Sequence, residues 1–213
     1  MKKETIGLDI GGHRGKSIPK LIDAGCTQIY CFEPSKEFYN ICESVAKQHS
    51  SDTVSVEVIN KALYDDGDYE LTVLDDESTL FPEILKYSSQ VPLLINGDLP
   101  NEKVKGISLK KFIEEKKLTH IHIIKMNCEG SEFKILEDLI DSGVSFDEMA
   151  VQFHHEEEKR NSLIERFIEL DYNVWGHKKN SVSPFQWWSI LPKEKEEPLW
   201  LNVDWIHTQM GKS

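Results

Sequence analysis

The run Ile6-Gly7-Leu8-Asp9-Ile10 is followed at once by Gly11, Gly12 and Gly15, and this juxtaposition restricts the fold more than any other feature. The run is short and rich in strand formers, and Ser17-Ile18-Pro19-Lys20-Leu21-Ile22 begins a helix near residues 17–24. A strand, a glycine turn and a helix form the front half of a nucleotide-binding α/β unit. The spacing is not the G-x-G-x-x-G of a dinucleotide turn, and an aspartate stands two residues ahead of the first glycine.

The rest of the chain keeps alternating strand-like runs with helical patterns, which argues for a mostly parallel sheet with helices on both faces. "TQIYCFEP" supplies a second strand stopped by Pro34, and Phe38, Ile41, Cys42 and Val45 share one helical face after it. "VSVEVINKAL" reads as a third strand and "YELTVL" as an extra, antiparallel one. "VKGISLKKFIEEKKL" is a strand and a short helix, "THIHIIKMN" the next strand, and "SEFKILEDLIDSG" a helix stopped by Gly143. "FDEMAVQFHH" is a further strand with a helix behind it, and "YNVWGH" and "FQWWSIL" form a closing hairpin. Residues 75–103 hold three prolines and no sustained period. A stretch of that length inside a compact domain predicts an acceptor-side lid.

With 213 residues the expectation is one domain, 1–213, around a single core. Lysine and arginine number 25 against 37 aspartates and glutamates, a formal net charge of −12. Such a surface repels phosphate backbones and anionic lipid, so neither nucleic acid nor membrane is expected as a partner. Cys26, Cys31, Cys42 and Cys128 show no C-x-x-C pairing, which suits buried, reduced thiols and a cytoplasmic location. The amino terminus passes directly into the glycine turn, leaving no room for a signal peptide.

In open α/β sheets a ligand lies beyond the carboxyl ends of the strands. The polar residues at those ends are Asp9, Glu33, Asn60, Asn127 and His154. Glu33 follows the glycines by roughly 20 residues, where an acid accepts hydrogen bonds from ribose hydroxyls. Asp9 would face a pyrophosphate unfavourably, but it can hold glycine amides and indirectly receive an ammonium group. S-adenosyl-L-methionine carries an ammonium, a carboxylate and a ribose but no phosphate, and so fits better than NAD.

The blocks "LDIGGHRG", "YCFEPS", "VINKALYDDGD", "GISLKKFIEE" and "IIKMNCEGSEFKILEDL" resemble, in order and interval, the FkbM-type family of S-adenosylmethionine-dependent methyltransferases. The resemblance runs from residue 5 to about 190. It implies a Rossmann-like class I methyltransferase fold with a seven-stranded sheet. It also implies methyl transfer to a hydroxyl of a sugar, glycan or small metabolite. Carried onto this chain, Asp9, Gly11, Gly12 and Gly15 would surround the methionine end, Glu33 the ribose, and Asn60, Lys61 and Ala62 the adenine.

Two positions depart from the family. Its fourth-strand block commonly reads K-x-D-x-E-G, whereas this chain has Lys125-Met126-Asn127-Cys128-Glu129-Gly130, and His13 and Arg14 stand where Ala-Asn is usual. An amide cannot take a proton, so the base falls to His154 on the neighbouring strand, with Asn127 orienting the acceptor or the methionine amino group. Glu132 and Glu129 are the next candidates, or else helix-terminal carboxylates paired with Lys125. A catalytically inactive binding protein of the same fold is the alternative, and an NAD-dependent oxidoreductase a weaker one. No metal is expected: adjacent His154 and His155 point to opposite faces of a strand, and His120 and His122 sit away from the catalytic end. Trp187 and Trp188 read as core and cover of the last strand.

Overall fold

The computed structural model describes residues 4–74, 78–82, 100–154, 156–177 and 185–195. Its first half contains β1 (Ile6–Ile10), α1 (Ile18–Asp23), β2 (Gln28–Phe32), α2 (Lys36–His49), β3 (Ser55–Ile59), β4 (Ala62–Leu63) and β5 (Gly67–Thr72). Then follow β6 (Asn101–Ile107), α3 (Leu109–Lys116), β7 (His120–Met126), α4 (Glu132–Ser142), β8 (Ser145–His154), α5 (Glu157–Glu169), β9 (Tyr172–His177) and β10 (Phe185–Pro192).

Seven strands form one sheet in the order β3-β2-β1-β7-β8-β10-β9. The first five run parallel, and β10 is antiparallel to both its neighbours, as the expected closing hairpin requires. This is the α/β, Rossmann-like class I methyltransferase architecture. The strand order reverses between β1 and β7, so the crevice past their carboxyl ends is the receiving point for a ligand.

Both faces of the inner strands are buried, which is why their sequences read as nearly continuous apolar runs. Leu8, Ile10, Tyr30, Phe32, Ile124 and Met126 join one core with Phe112 of α3 and Phe167 of α5. The alternate residues Ile29, Cys31 and Ile123 pack toward Ile18 and Leu21 of α1 and Cys42 of α2. Asp9 and Lys125 share that second face and are in register on adjacent strands. Gly143 closes α4 at φ +68°, a left-handed cap suited to glycine.

The stretch expected as one third strand divides into two. β3 belongs to the large sheet, whereas β4 joins β6 and β5 in a separate three-stranded sheet. The break falls at Asn60, whose side-chain amide donates to the Glu33 and Pro34 carbonyls at 3.0 and 2.7 Å. The extra strand is antiparallel as expected, with β6 as its partner. Most of the proposed lid, residues 75–77 and 83–99, lies outside the described residues. Within 75–103, Thr79 pairs with Thr72 and β6 already begins at Asn101. Among the described residues no helix is long and apolar enough to cross a membrane.

Candidate active site

The glycine turn folds back onto β2, because the Gly11 and Gly12 N–H groups both donate to the Phe32 carbonyl, at 3.1 and 2.9 Å. Gly11 has φ +78°, and a Cβ there would stand 1.8 Å from the Asn127 carbonyl oxygen. Only glycine lets the turn pass so close. Gly15 packs against Val45 of α2 rather than facing the crevice.

Asp9 therefore does not hold the glycine amides. It is fully buried, and its carboxylate pairs with Lys125 Nζ at 2.9 Å. Lys125 also donates to the Gly11 carbonyl. The expected direct place of Asp9 at the methionine end is corrected accordingly: its in-register neighbour neutralises it, and it reaches the crevice through Lys125. Lys125 takes Asp9 as partner rather than Glu129 or Glu132.

Glu33 stands just past the end of β2 with both carboxylate oxygens engaged. Oε2 accepts the His13 N–H at 2.7 Å and Oε1 the Ser35 N–H at 2.9 Å. His13 is held at φ +48°, so the unusual residue in the glycine turn aims its own amide at this acid. Burial raises the Glu33 pKa to about 7, against the lowering effect of those two amides.

A cleft of about 770 Å³ opens here, lined among others by Gly11, Gly12, Glu33, Ala62, Asn127 and Glu129. Asn60 and Lys61 are not on its wall, and Asn60 instead braces the Glu33 turn. Asn127 donates its N–H to the Ile10 carbonyl at 2.9 Å, while its buried Oδ1 has no hydrogen-bond partner among the described residues.

The far wall is built on the turn between β7 and α4. Glu129 and Gly130 adopt φ +48° and +105°. This turn brings the Glu129 carboxylate to 3.0 Å from His154 Nε2, while Glu132 Oε1 lies 3.2 Å from Nδ1. Glu132 also accepts the His154 and Gly130 N–H groups, at 2.6 and 2.8 Å. His154 is 1% exposed and Glu132 is fully buried. Burial alone lowers an imidazole pKa, but the two carboxylates outweigh it and raise that of His154 to about 10.

His154 is thus an imidazolium at neutral pH, already clamped on both nitrogens, and it is not the free base expected of it. Glu132 is equally out of reach of an acceptor. Glu129 is the member of this trio on the cleft wall. The residue after His154, His155, lies outside the described residues.

The model of the Methyltransferase FkbM domain matches residues 9–181. The chain belongs to the FkbM methyltransferase family. Members of this family draw their methyl group from S-adenosyl-L-methionine, which is the cofactor here. None of the curated proteins matches the chain. Among solved structures, an rRNA methylase from Streptococcus thermophilus gives a TM-score of 0.49 at 9% identity, over 89% of this chain and 87% of that one. A Streptococcus mutans protein in complex with SAH gives 0.49 at 9% identity over 89% of each chain. A methyltransferase from Pyrococcus furiosus gives 0.42 at 16% identity, over 89% of this chain and 75% of that one. Likeness of this degree says nothing about what this FkbM methyltransferase methylates.

The residues present fit the cofactor. The unpartnered Asn127 Oδ1 can accept from an ammonium, Glu33 can accept from ribose hydroxyls, and Ala62 and Leu63 offer an apolar wall. Sequence reasoning missed the pairing of Lys125 with Asp9, although strand alternation puts both on one face. It also missed the forward place of Glu129 and the anchoring of its turn: Thr79 Oγ1 donates to the Glu129 carbonyl at 2.6 Å.

Proposed function

We propose that this methyltransferase transfers the methyl group to a hydroxyl oxygen of a small metabolite or carbohydrate, with Glu129 as the proton acceptor. The observation that carries this is the Glu129 carboxylate, on the wall of the Glu33 cleft and backed by the buried His154 and Glu132. Two carboxylates share one imidazolium, which leaves one negative charge in excess at the cleft. When bound, S-adenosylmethionine supplies the electrophilic methyl group on its sulfonium.

Asn127 accepts from the ammonium end, and Glu33 from the ribose hydroxyls. Ala62 covers the adenine side. Gly11 and Gly12 keep the backbone low enough for close approach, and the Lys125–Asp9 pair fixes that turn from beneath. Glu129 takes the proton of the acceptor hydroxyl as the oxygen attacks, and later releases it to water. Rate comes mainly from holding the acceptor oxygen and methyl group within near-attack distance. Trp187, buried and on the cleft wall, gives the acceptor an apolar surface.

The test is incubation with methyl-labelled cofactor and an extract of the source organism, followed by identification of the labelled product. A low-mass product methylated on oxygen is expected, and label in RNA or protein overturns the assignment. Cofactor binding with no transfer to any fraction would favour the inactive binding protein, a reading that rests on Asn127 in place of an acid.

Cofactor binding has its own check. Glu33→Ala should weaken S-adenosylhomocysteine binding by about 1.5 to 3 kcal/mol, the range for charge-assisted hydrogen bonds. The ribose-binding form is the carboxylate, and its pKa is raised to about 7. Wild-type affinity should therefore rise with pH through about 7 and level off above it, whereas the variant should stay flat. Calorimetry across that range reads both effects, and a flat wild-type profile would remove Glu33 from the ribose.

A further inference from the structure

Glu129 stands at φ +48°, in the left-handed region, and Gly130 follows at +105°. A residue with a Cβ is uncommon there and keeps such a backbone only where its surroundings hold it. The contact that holds it comes from far along the chain. Thr79 Oγ1 donates to the Glu129 carbonyl at 2.6 Å, across 50 positions, and accepts the Phe81 N–H at 2.9 Å.

Thr79 is itself firmly placed. It is 1% exposed and exchanges two backbone hydrogen bonds of 2.9 Å with Thr72 at the end of β5. The Ser78 hydroxyl steadies the same segment by donating to the Leu74 carbonyl at 2.7 Å. Through β5 the segment is tied to the small sheet, which brings Ala62, Leu63 and Leu71 to the cleft wall, and Ser78, Thr79 and Leu80 line the cleft as well. The Glu129 turn is therefore anchored to the small sheet, although the His154 that backs its carboxylate belongs to the large one.

Resting on the reading of Glu129 as proton acceptor, we propose that Thr79 is a positioning residue for methyl transfer. Its hydroxyl sets the Glu129 turn so that the carboxylate faces the cleft and meets the His154 imidazolium. Without that donor the turn relaxes toward the right-handed backbone that a glutamate prefers, and the carboxylate leaves its place 3.0 Å from Nε2. A misplacement of about 1 Å can cost 10²-fold in rate.

The test compares Thr79→Val, which keeps the branched shape and the backbone bonds to Thr72 but has no hydroxyl, with Thr79→Ser, which keeps the hydroxyl. Wild type and both variants are measured for S-adenosylhomocysteine affinity by calorimetry and for methyl transfer into the low-mass fraction of the source extract. The His154 Nε2–H signal is followed by NMR on protein with isotope-labelled histidine. Thr79→Val should transfer methyl groups at least about tenfold more slowly, with cofactor-product affinity within about threefold of wild type, and should lose the exchange-protected Nε2–H signal. Thr79→Ser should match wild type in all three. A Thr79→Val protein with the wild-type rate or an unchanged His154 signal overturns the proposal. So does a Thr79→Ser protein that falls as far as Thr79→Val, since the methyl group rather than the hydroxyl would then matter. A loss of S-adenosylhomocysteine affinity of about tenfold or more in Thr79→Val overturns it too, because Thr79 would then be supporting the cofactor wall. Failure of the wild type to transfer any methyl group strikes the proton-acceptor reading instead, and the His154 signal of the two variants still decides whether Thr79 sets the turn.

Discussion

His154→Ala should destabilise the folded protein by about 3 to 5 kcal/mol, the usual cost of removing one partner from a buried ion pair. The side chain is 1% exposed and lies between Glu129 and the fully buried Glu132. Without it, Glu132 keeps two backbone amides but loses its countercharge. The same substitution should change the pH dependence of stability. The folded pKa of His154, about 10, stands above its ordinary value of 6.5. Its stabilising contribution is therefore complete below pH 6.5, falls as the pH rises, and is lost above about 10, with a slope of up to about 1.4 kcal/mol per pH unit. Urea unfolding of both proteins at several pH values between 6 and 10 gives the comparison. Parallel stability profiles for wild type and variant would mean that the imidazolium is not there.

The strand–glycine–helix opening, the alternation behind it and the closing hairpin were legible in the sequence because each is a local pattern. Gly11 and Gly143 are required by left-handed backbone at those residues, and Pro34 stops the second strand through the ring that fixes its own φ. The division of the third strand was not legible. It depends on Asn60 giving its amide to Glu33 and Pro34 carbonyls 27 and 26 positions away. The site follows the same division. Glu33 could be placed by its interval from the glycines, and Asn127 by its position at a strand end. His154 was located correctly at the end of its strand, but its chemistry depends on two carboxylates brought in from the turn after β7 and the first turn of α4. An imidazole read by itself titrates near neutrality. Only the packing of β8 against α4 turns it into a fixed cation that supports Glu129.

Glu129→Gln should lower the maximal rate of methyl transfer by roughly 10²-fold or more, within the range for removal of a general base. The amide has nearly the shape of the acid and can still accept from His154 Nε2 through its oxygen, but it cannot take the acceptor's proton. Affinity for S-adenosylhomocysteine should stay close to wild type, because Asn127, Glu33 and the glycine turn are untouched. The loss should therefore appear in kcat and kcat/KM together, as for an interaction made in the transition state. The folded state should also survive this change better than His154→Ala, since Glu132 remains beside the imidazolium at 3.2 Å. Three observables thus separate Glu129 from its neighbours: rate, cofactor affinity and unfolding free energy. Loss of rate with cofactor affinity retained assigns proton transfer to Glu129. A fully active Glu129→Gln would show that the acceptor sheds its proton directly to water, leaving the trio to shape the turn that carries Asn127.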